Sequence, residues 1–383
     1  MGLTSNVFFI VLVIIAVAVV AVALWLWPRA ARKGPVPWLG RLGLIAATQG
    51  AILCVVLVAA NNNFGFYSSW NDLLGNPDGQ QIMDAGHTND GRPVTLTVKG
   101  KTDAGLKGGK TKAGEVEEVT FRGPSSGLTT DGFVYLPPQY FQKGHEKDKF
   151  PVVVALTGYP GVAKNLITGL KIPRTVSDDI VAKKIKPTIY VMVRPAIVPG
   201  RDTNCTDVPG GPQALTFFNQ DLPSAIASQY RSADTPGSWG AVGDSTGGYC
   251  ALKFPITNPT RYGAGASLSG DYFARQDRDT GDLYAGSAQV KKENDLIWRM
   301  EHMPAPPVSL LLTSSKKGED NYGPTMRFVS SAKAPTRIDT LIRDEGGHNF
   351  KTWSAEYPEV ILWLDKRLSA NSQQAPAPQS PQP

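Results

Sequence analysis

Apolar positions along the chain fall into three regimes, each with its own periodicity. Two long uncharged runs come first, Val7 to Trp27 and Leu42 to Ala60. At ~1.5 Å of helical rise per residue the first reaches about the ~30 Å depth of bilayer hydrocarbon. The second is slightly shorter, and Gln49 and Gly50 weaken it somewhat. They predict transmembrane helices over 7–27 and 42–60, within a membrane anchor spanning 1–70. A cleaved signal peptide is the competing reading of the first run, but MGLTSN lacks the positive n-region such peptides carry.

The second regime, 71–114, is rich in Gly, Lys, Asp and Thr and alternates only at Val94 to Val98. It reads as a linker with room for one small strand. The third regime, 115–368, opens with VEEVTF and GFVYLP, two alternating segments parted by turn residues, which predict an antiparallel pair. Short apolar runs without alternation follow: PVVVALTG, TIYVMVRP, SWGAVGDS, YGAGASLSG, PVSLLLTSS and TRIDTLIRD. Such runs suit strands buried on both faces, and the stretches between them are long enough for crossover helices. The expected class is α/β, with a mostly parallel central sheet and helices on both faces. The tail 369–383, SANSQQAPAPQSPQP, is too polar and proline-rich to bury a core and is expected to be disordered.

Charge adds an orientation. The connection Pro28 to Arg41 carries Arg29, Arg32, Lys33 and Arg41, whereas Met1 to Asn6 and Asn61 to Trp70 carry no Lys or Arg. By the positive-inside rule the connection is cytoplasmic and everything after Ala60 lies outside. Phe64, Phe66, Tyr67 and Trp70 follow the second run, where aromatic rings suit the headgroup level or a stalk packed on the domain. The formal net charge of +6 owes much to these arginines and to the lysines of 97–112. Because the basic residues are not interleaved with aromatics, nucleic-acid binding is not expected.

Candidate chemistry centres on Gly243-Asp244-Ser245-Thr246-Gly247, a G-x-S-x-G between an apolar run (SWGAVG) and a helix-forming one (GGYCALKFPI). A nucleophilic serine on such a tight strand-to-helix turn needs small neighbours for the backbone to turn and pack. A plain glycine turn is the alternative in a chain with 39 glycines, and the strand-helix context weighs against it. Of the four histidines, His87 and His145 precede the serine, and His302 lies between the fifth and sixth apolar runs. His348, in DEGGHNFKTW after the last run, is the expected base. SSKKGEDNYG supplies the carboxylate that would orient the imidazole; Asp320 is chosen narrowly over the adjacent Glu319. The backbone amides of Thr246 and of Tyr159, in LTGYPGV, are the expected oxyanion donors.

AVGDSTGGYCALKFPITNPTRYGAGASLSGDYF followed by EGGHNFKTW resembles the putative-esterase family of α/β-hydrolases, the group containing esterase D, feruloyl esterases and the actinobacterial mycolyltransferases. FFNQDLPSAIASQY is also similar to the helix before the elbow strand in the mycolyltransferases. The resemblance implies ester or acyl-transfer chemistry through Ser245 and His348. The chain departs from the mycolyltransferases at their acid, having Arg327, Phe328 and Val329 at the corresponding helix, and in its two predicted spans.

Cys205 and Cys250 would both lie outside the cytoplasm, where disulfides persist, so a bridge between them is one expectation; a free thiol and a small buried hydrophobe are the other. Without a histidine pair or an H-E-x-x-H spacing, neither a metal nor another cofactor is expected. Aromatic residues between Asp271 and Ala305, Tyr272, Phe273, Tyr284 and Trp298, together with Met300, are expected to roof the pocket. The functional expectation is a membrane-anchored extracytoplasmic serine esterase with a small-molecule or lipid ester substrate. An acyltransferase acting on envelope sugars or lipids, and a catalytically silent envelope-binding domain, are the alternatives.

Overall fold

The structure, a computed structural model, describes residues 2–3, 5–31, 34–64, 70–73, 95–198, 200–235 and 237–369. Arg32, Lys33, Phe66, Tyr67, His87 and the tail from 370 onward lie outside the described residues, as does 74–94 of the expected linker. Two compact units emerge, Met1–Gly79 and Gln80–Pro383.

The first unit contains helices Asn6–Leu26 and Pro35–Phe64, both long and apolar enough to cross a membrane. Ser5 caps the first, its Oγ accepting the Phe8 N–H. Ile14, Val17, Leu24, Leu53 and Val56 leave their side chains exposed rather than packed into a core. Apolar surface of that extent on a helix requires lipid or a partner to cover it. The second helix starts earlier than the apolar run, with proline at its first position, where the missing N–H costs nothing. Arg41, expected in the connection, is therefore inside the helix, and its Nε donates back to the Ala30 carbonyl at 2.7 Å.

The second unit is built on one nine-stranded sheet, in the order β1-β2-β3-β5-β4-β6-β7-β8-β9. Its strands are β1 (Leu96–Lys101), β2 (Glu115–Arg122), β3 (Thr129–Leu136), β4 (Val152–Leu156), β5 (Ile189–Val193), β6 (Trp239–Asp244), β7 (Tyr262–Leu268), β8 (Ser309–Lys317) and β9 (Arg337–Glu345). β1, β2 and β3 pair antiparallel, and β3 pairs antiparallel with β5; β5, β4, β6, β7, β8 and β9 form the parallel part. Burial on both faces explains the non-alternating runs of β4 to β8; β9, expected to be buried likewise, is the sheet's edge strand and has no fully buried residue. Val152, Val154 and Leu156 enter one core with Phe218, Leu222, Ile226, Leu252 and Phe254, while Val153 and Ala155 enter the other with Ile172, Val176, Tyr357 and Ile361.

The one small strand for which the expected linker left room is present over Leu96–Lys101, and 95–114 as a whole packs on the domain. β1 joins the sheet edge, and a turn of helix, Lys110–Ala113, packs so that the Ala113 carbonyl accepts hydrogen bonds from Tyr135 Oη and Ser177 Oγ. Only Leu96 of the six β1 residues is buried, so the alternation at Val94 to Val98 marks only the start of the strand. β4 has β5 on one side and β6 on the other. The chain thus reverses its winding direction at β4, and the loops leaving the carboxyl ends of β4 and β6 flank the crevice where ligands enter such sheets.

Candidate active site

Ser245 sits between β6 and the helix Thr246–Thr257 with φ 53° and ψ −122°. A side chain held at positive φ is strained, and such strain gathers at functional turns. The flanking glycines are sterically required. A Cβ on Gly243 would come 2.3 Å from the Gly247 carbonyl oxygen, and one on Gly247 would come 2.5 Å from that of Leu156.

His348 lies in the loop between β9 and the final helix, Phe350–Arg367. Asn349 caps that helix, its Oδ1 accepting the amides of Lys351 and Thr352, which fixes the chain directly after the histidine. Trp353, one turn into the helix, packs edge-on against the imidazole at 4.9 Å and donates its Nε1–H to Ser269 Oγ. The result is a 2.8 Å contact between His348 Nε2 and Ser245 Oγ. His145 lies instead in an exposed turn beside Asp148, and His302 stacks on Trp298.

The carboxylate nearest the imidazole belongs to Glu319, correcting the choice of Asp320. Gly318, at φ 89°, turns the chain after β8 so tightly against the 346 loop that a Cβ there would meet the Gly346 carbonyl oxygen at 2.0 Å. That turn sends Glu319 inward, with its side chain 1% exposed, and leaves Asp320 exposed. Glu319 Oε2 accepts the Ser315 amide at 2.9 Å, while Oε1 lies 4.0 Å from His348 Nδ1 and has no hydrogen-bond partner. This is ion-pair distance rather than a hydrogen bond, and such contacts commonly tighten only when substrate closes the site. Partial burial lowers the His348 pKa from its ordinary value, against the opposing pull of Glu319 and Asp271.

Thr246 is the first residue of the elbow helix, so its amide adjoins Ser245. Tyr159 follows Gly158, which is so close that a Cβ there would stand 2.8 Å from Ser245 Cβ. Cys205 and Cys250 are joined, Cα to Cα 5.8 Å, tying the 200–207 loop to the elbow helix. The roof expectation is revised. Tyr272, Tyr284 and Met300 are buried in the core, with the two hydroxyls bonded to Thr325 and Ala274, and only Phe273 among these residues is widely exposed. The same segment instead contributes charge, since Asp271 and Arg275, paired at 2.9 Å, both act on His348.

Four buried ionisable residues escaped the sequence reading. Lys253, on the elbow helix, donates to Cys205 O, Thr206 Oγ1 and Asn294 Oδ1, and burial pushes its pKa down to about 7. Its only signal was a lysine inside the apolar run YCALKFPI. Asp202, 4% exposed, is raised to about 6 by burial and lies 3.4 Å from Thr246 Oγ1. Glu356 accepts the Thr313 hydroxyl at 2.7 Å and is raised to about 7, again by burial. Asp244, the fourth, ends β6 and is 1% exposed. Among the described residues no cluster of His, Cys, Asp and Glu could hold a metal ion.

A serine hydroxyl bonded to an imidazole that faces a buried carboxylate is an arrangement able to generate a nucleophile. The model of the family described as putative esterase matches residues 125–359, more than half of the chain. The chain belongs to the putative-esterase family. Among solved structures, a ferulic acid esterase superposes with a TM-score of 0.57 at 16% identity, covering 67% of this chain and 99% of that one. An S-formylglutathione hydrolase from Agrobacterium tumefaciens gives 0.58 at 15%, covering 71% and 99%. The feruloyl esterase module from Clostridium thermocellum gives 0.52 at 15%, covering 78% and 100%. At these identities the likeness is one of fold, the α/β-hydrolase fold expected from the sequence. The MPT51 antigen of Mycobacterium leprae (strain TN) is 36% identical over 80 residues, which are 21% of this chain and 26% of that protein. The chain thus aligns with about a quarter of that relative's length.

Proposed function

We propose that this member of the putative-esterase family is a membrane-anchored serine esterase that cleaves carboxylic esters through an acyl-enzyme outside the cytoplasm. The observation that carries the reading is the 2.8 Å contact between His348 Nε2 and Ser245 Oγ, made on a strained elbow with the Glu319 carboxylate behind the imidazole. As Ser245 Oγ attacks the ester carbon, its proton passes to His348 Nε2. The carbonyl oxygen gathers negative charge and takes hydrogen bonds from the Thr246 and Tyr159 amides, each worth roughly 3 kcal/mol to the transition state. Glu319 stabilises the imidazolium. His348 then gives the proton to the leaving alcohol, and water repeats the sequence on the acyl-enzyme.

Anchoring is supported by the length and outward apolar surface of the two N-terminal helices, and orientation by the arginines between the two runs. A bridge between Cys205 and Cys250 accords with an oxidising compartment. The test supplies a short-chain aryl ester to the detergent-solubilised full chain, with and without sugar or glycerol acceptors. Free acid in both cases supports hydrolysis. An acceptor-dependent acylated product at unchanged phenol release would replace it with acyl transfer, and no turnover of any ester would leave a binding domain. A reporter fused at the C-terminus that is active only in the cytoplasm would reverse the orientation.

A further inference from the structure

Asp244 immediately precedes the nucleophile, at the end of β6, and is 1% exposed. Among the described residues no basic side chain offsets its charge; burial pushes its carboxyl up to about 7, against hydrogen bonds from the Gly158 amide and its own. Oδ1 has no partner. Burying a carboxyl this way is costly, and an apolar residue of the same shape would avoid the cost. What the carboxyl does provide is one directed contact, because Oδ2 accepts the Gly158 N–H at 2.9 Å.

Gly158 is the residue before Tyr159, and its seat on the elbow has no slack. A Cβ there would stand 2.8 Å from Ser245 Cβ, 3.1 Å from Asp244 Oδ2 and 3.3 Å from the Asp244 carbonyl oxygen. On the other flank, Gly247 of the elbow helix meets the Leu156 and Thr157 carbonyls equally tightly. The loop after β4 is therefore laid directly on the elbow, with the Asp244 carboxyl bonding across the junction.

We infer that Asp244 is a positioning residue for oxyanion stabilisation: by holding the Gly158 amide it keeps the adjoining Tyr159 N–H in place over Ser245. Asp244 itself touches no reacting atom. The inference rests on the esterase reading and narrows what the first x of G-x-S-x-G does in this chain. A donor that wanders by even an ångström loses much of its effect on the transition state while leaving ground-state binding nearly unchanged.

The experiment compares Asp244→Val, which keeps the shape and removes the acceptor, with Asp244→Asn, which keeps an acceptor oxygen and removes the charge. In the folded full chain, D244V should lower kcat on a short aryl ester by roughly 10²-fold with KM changed less than about threefold. Affinity for a trifluoromethyl ketone, which forms the tetrahedral oxyanion, should fall by about the same factor, and D244N should recover kcat to within about tenfold of wild type. Folded D244V with kcat within about threefold of wild type, or a kcat loss not matched in ketone affinity, overturns the proposal. Should D244V fail to fold, hydrogen exchange on wild type decides: a slow Gly158 amide supports the clamp, and exchange as fast as in exposed loops sinks it. Wild type inert to both esters and fluorophosphonate would instead remove the esterase reading, and the proposal with it.

Discussion

Replacing Glu319 by Gln tests the least obvious member of the site. The substitution keeps the shape, and the amide oxygen can still accept the Ser315 N–H, but it removes the charge 4.0 Å from His348 Nδ1. At that distance two unit charges interact by ~4 kcal/mol at an effective dielectric of ~20, and by ~1 kcal/mol in water. Glu319 is buried, but His348 is about half open to solvent. An intermediate value of about 2–3 kcal/mol follows, or roughly 10²-fold in the acylation rate, and lost control of the imidazole tautomer adds to it. Because Glu319 raises the His348 pKa, its removal should also move the acid limb of the pH-rate profile lower. The assay is kcat/KM for an aryl ester between pH 4 and 9 for E319Q and for Asp320→Asn. D320N should stay within about threefold of wild type, as surface substitutions usually do. If D320N loses more activity than E319Q, or E319Q leaves rate and acid limb unmoved, the assignment of Glu319 is wrong.

Further outcomes follow from the buried groups. Since the base must be neutral and burial lowers its pKa, wild-type activity should persist below pH ~6.5 and fall only at more acid values; a limb above ~6.5 would contradict the burial argument. Glu356 keeps its proton to about pH 7 in the folded chain but to only about 4.5 unfolded, so its contribution to stability is lost as pH rises between those values. Glu356→Gln should remove that slope and stabilise by on the order of 2–3 kcal/mol at pH 8, seen as urea midpoints that depend less on pH than in wild type. Cleaving the Cys205–Cys250 bridge, which closes a loop of 45 residues, should cost up to about 4 kcal/mol on the chain-entropy estimate; Cys205→Ser/Cys250→Ser with an unchanged denaturation midpoint would show that the bridge does not constrain the chain.

Much of the fold was legible because it rests on burial that sequence records. The six non-alternating apolar runs became β4 to β9, and the small residues around Ser245 announced an elbow that only glycines can build. The approach of His348 to Ser245 follows from its position after the last run. β1 was legible only at its start, in the alternation at Val94 to Val98, because five of its six residues are exposed and the following KGK carries no apolar signal. Nor was the choice between Glu319 and Asp320, since adjacent residues diverge only through the turn at Gly318, set by its contact with Gly346 some thirty residues on. Lys253 and Asp244 escaped for a related reason: both bond to backbone groups on remote segments, Cys205 and Gly158, a pairing that no local pattern encodes.

The most direct test of the central claim is covalent labelling of the purified full chain with a fluorophosphonate probe, followed by identification of the labelled peptide. The account predicts one modified residue, Ser245, with labelling abolished in Ser245→Ala and at least ~10²-fold slower in His348→Ala, which removes the base. Wild-type protein that does not label, or label that persists in the Ser245→Ala variant, would contradict it.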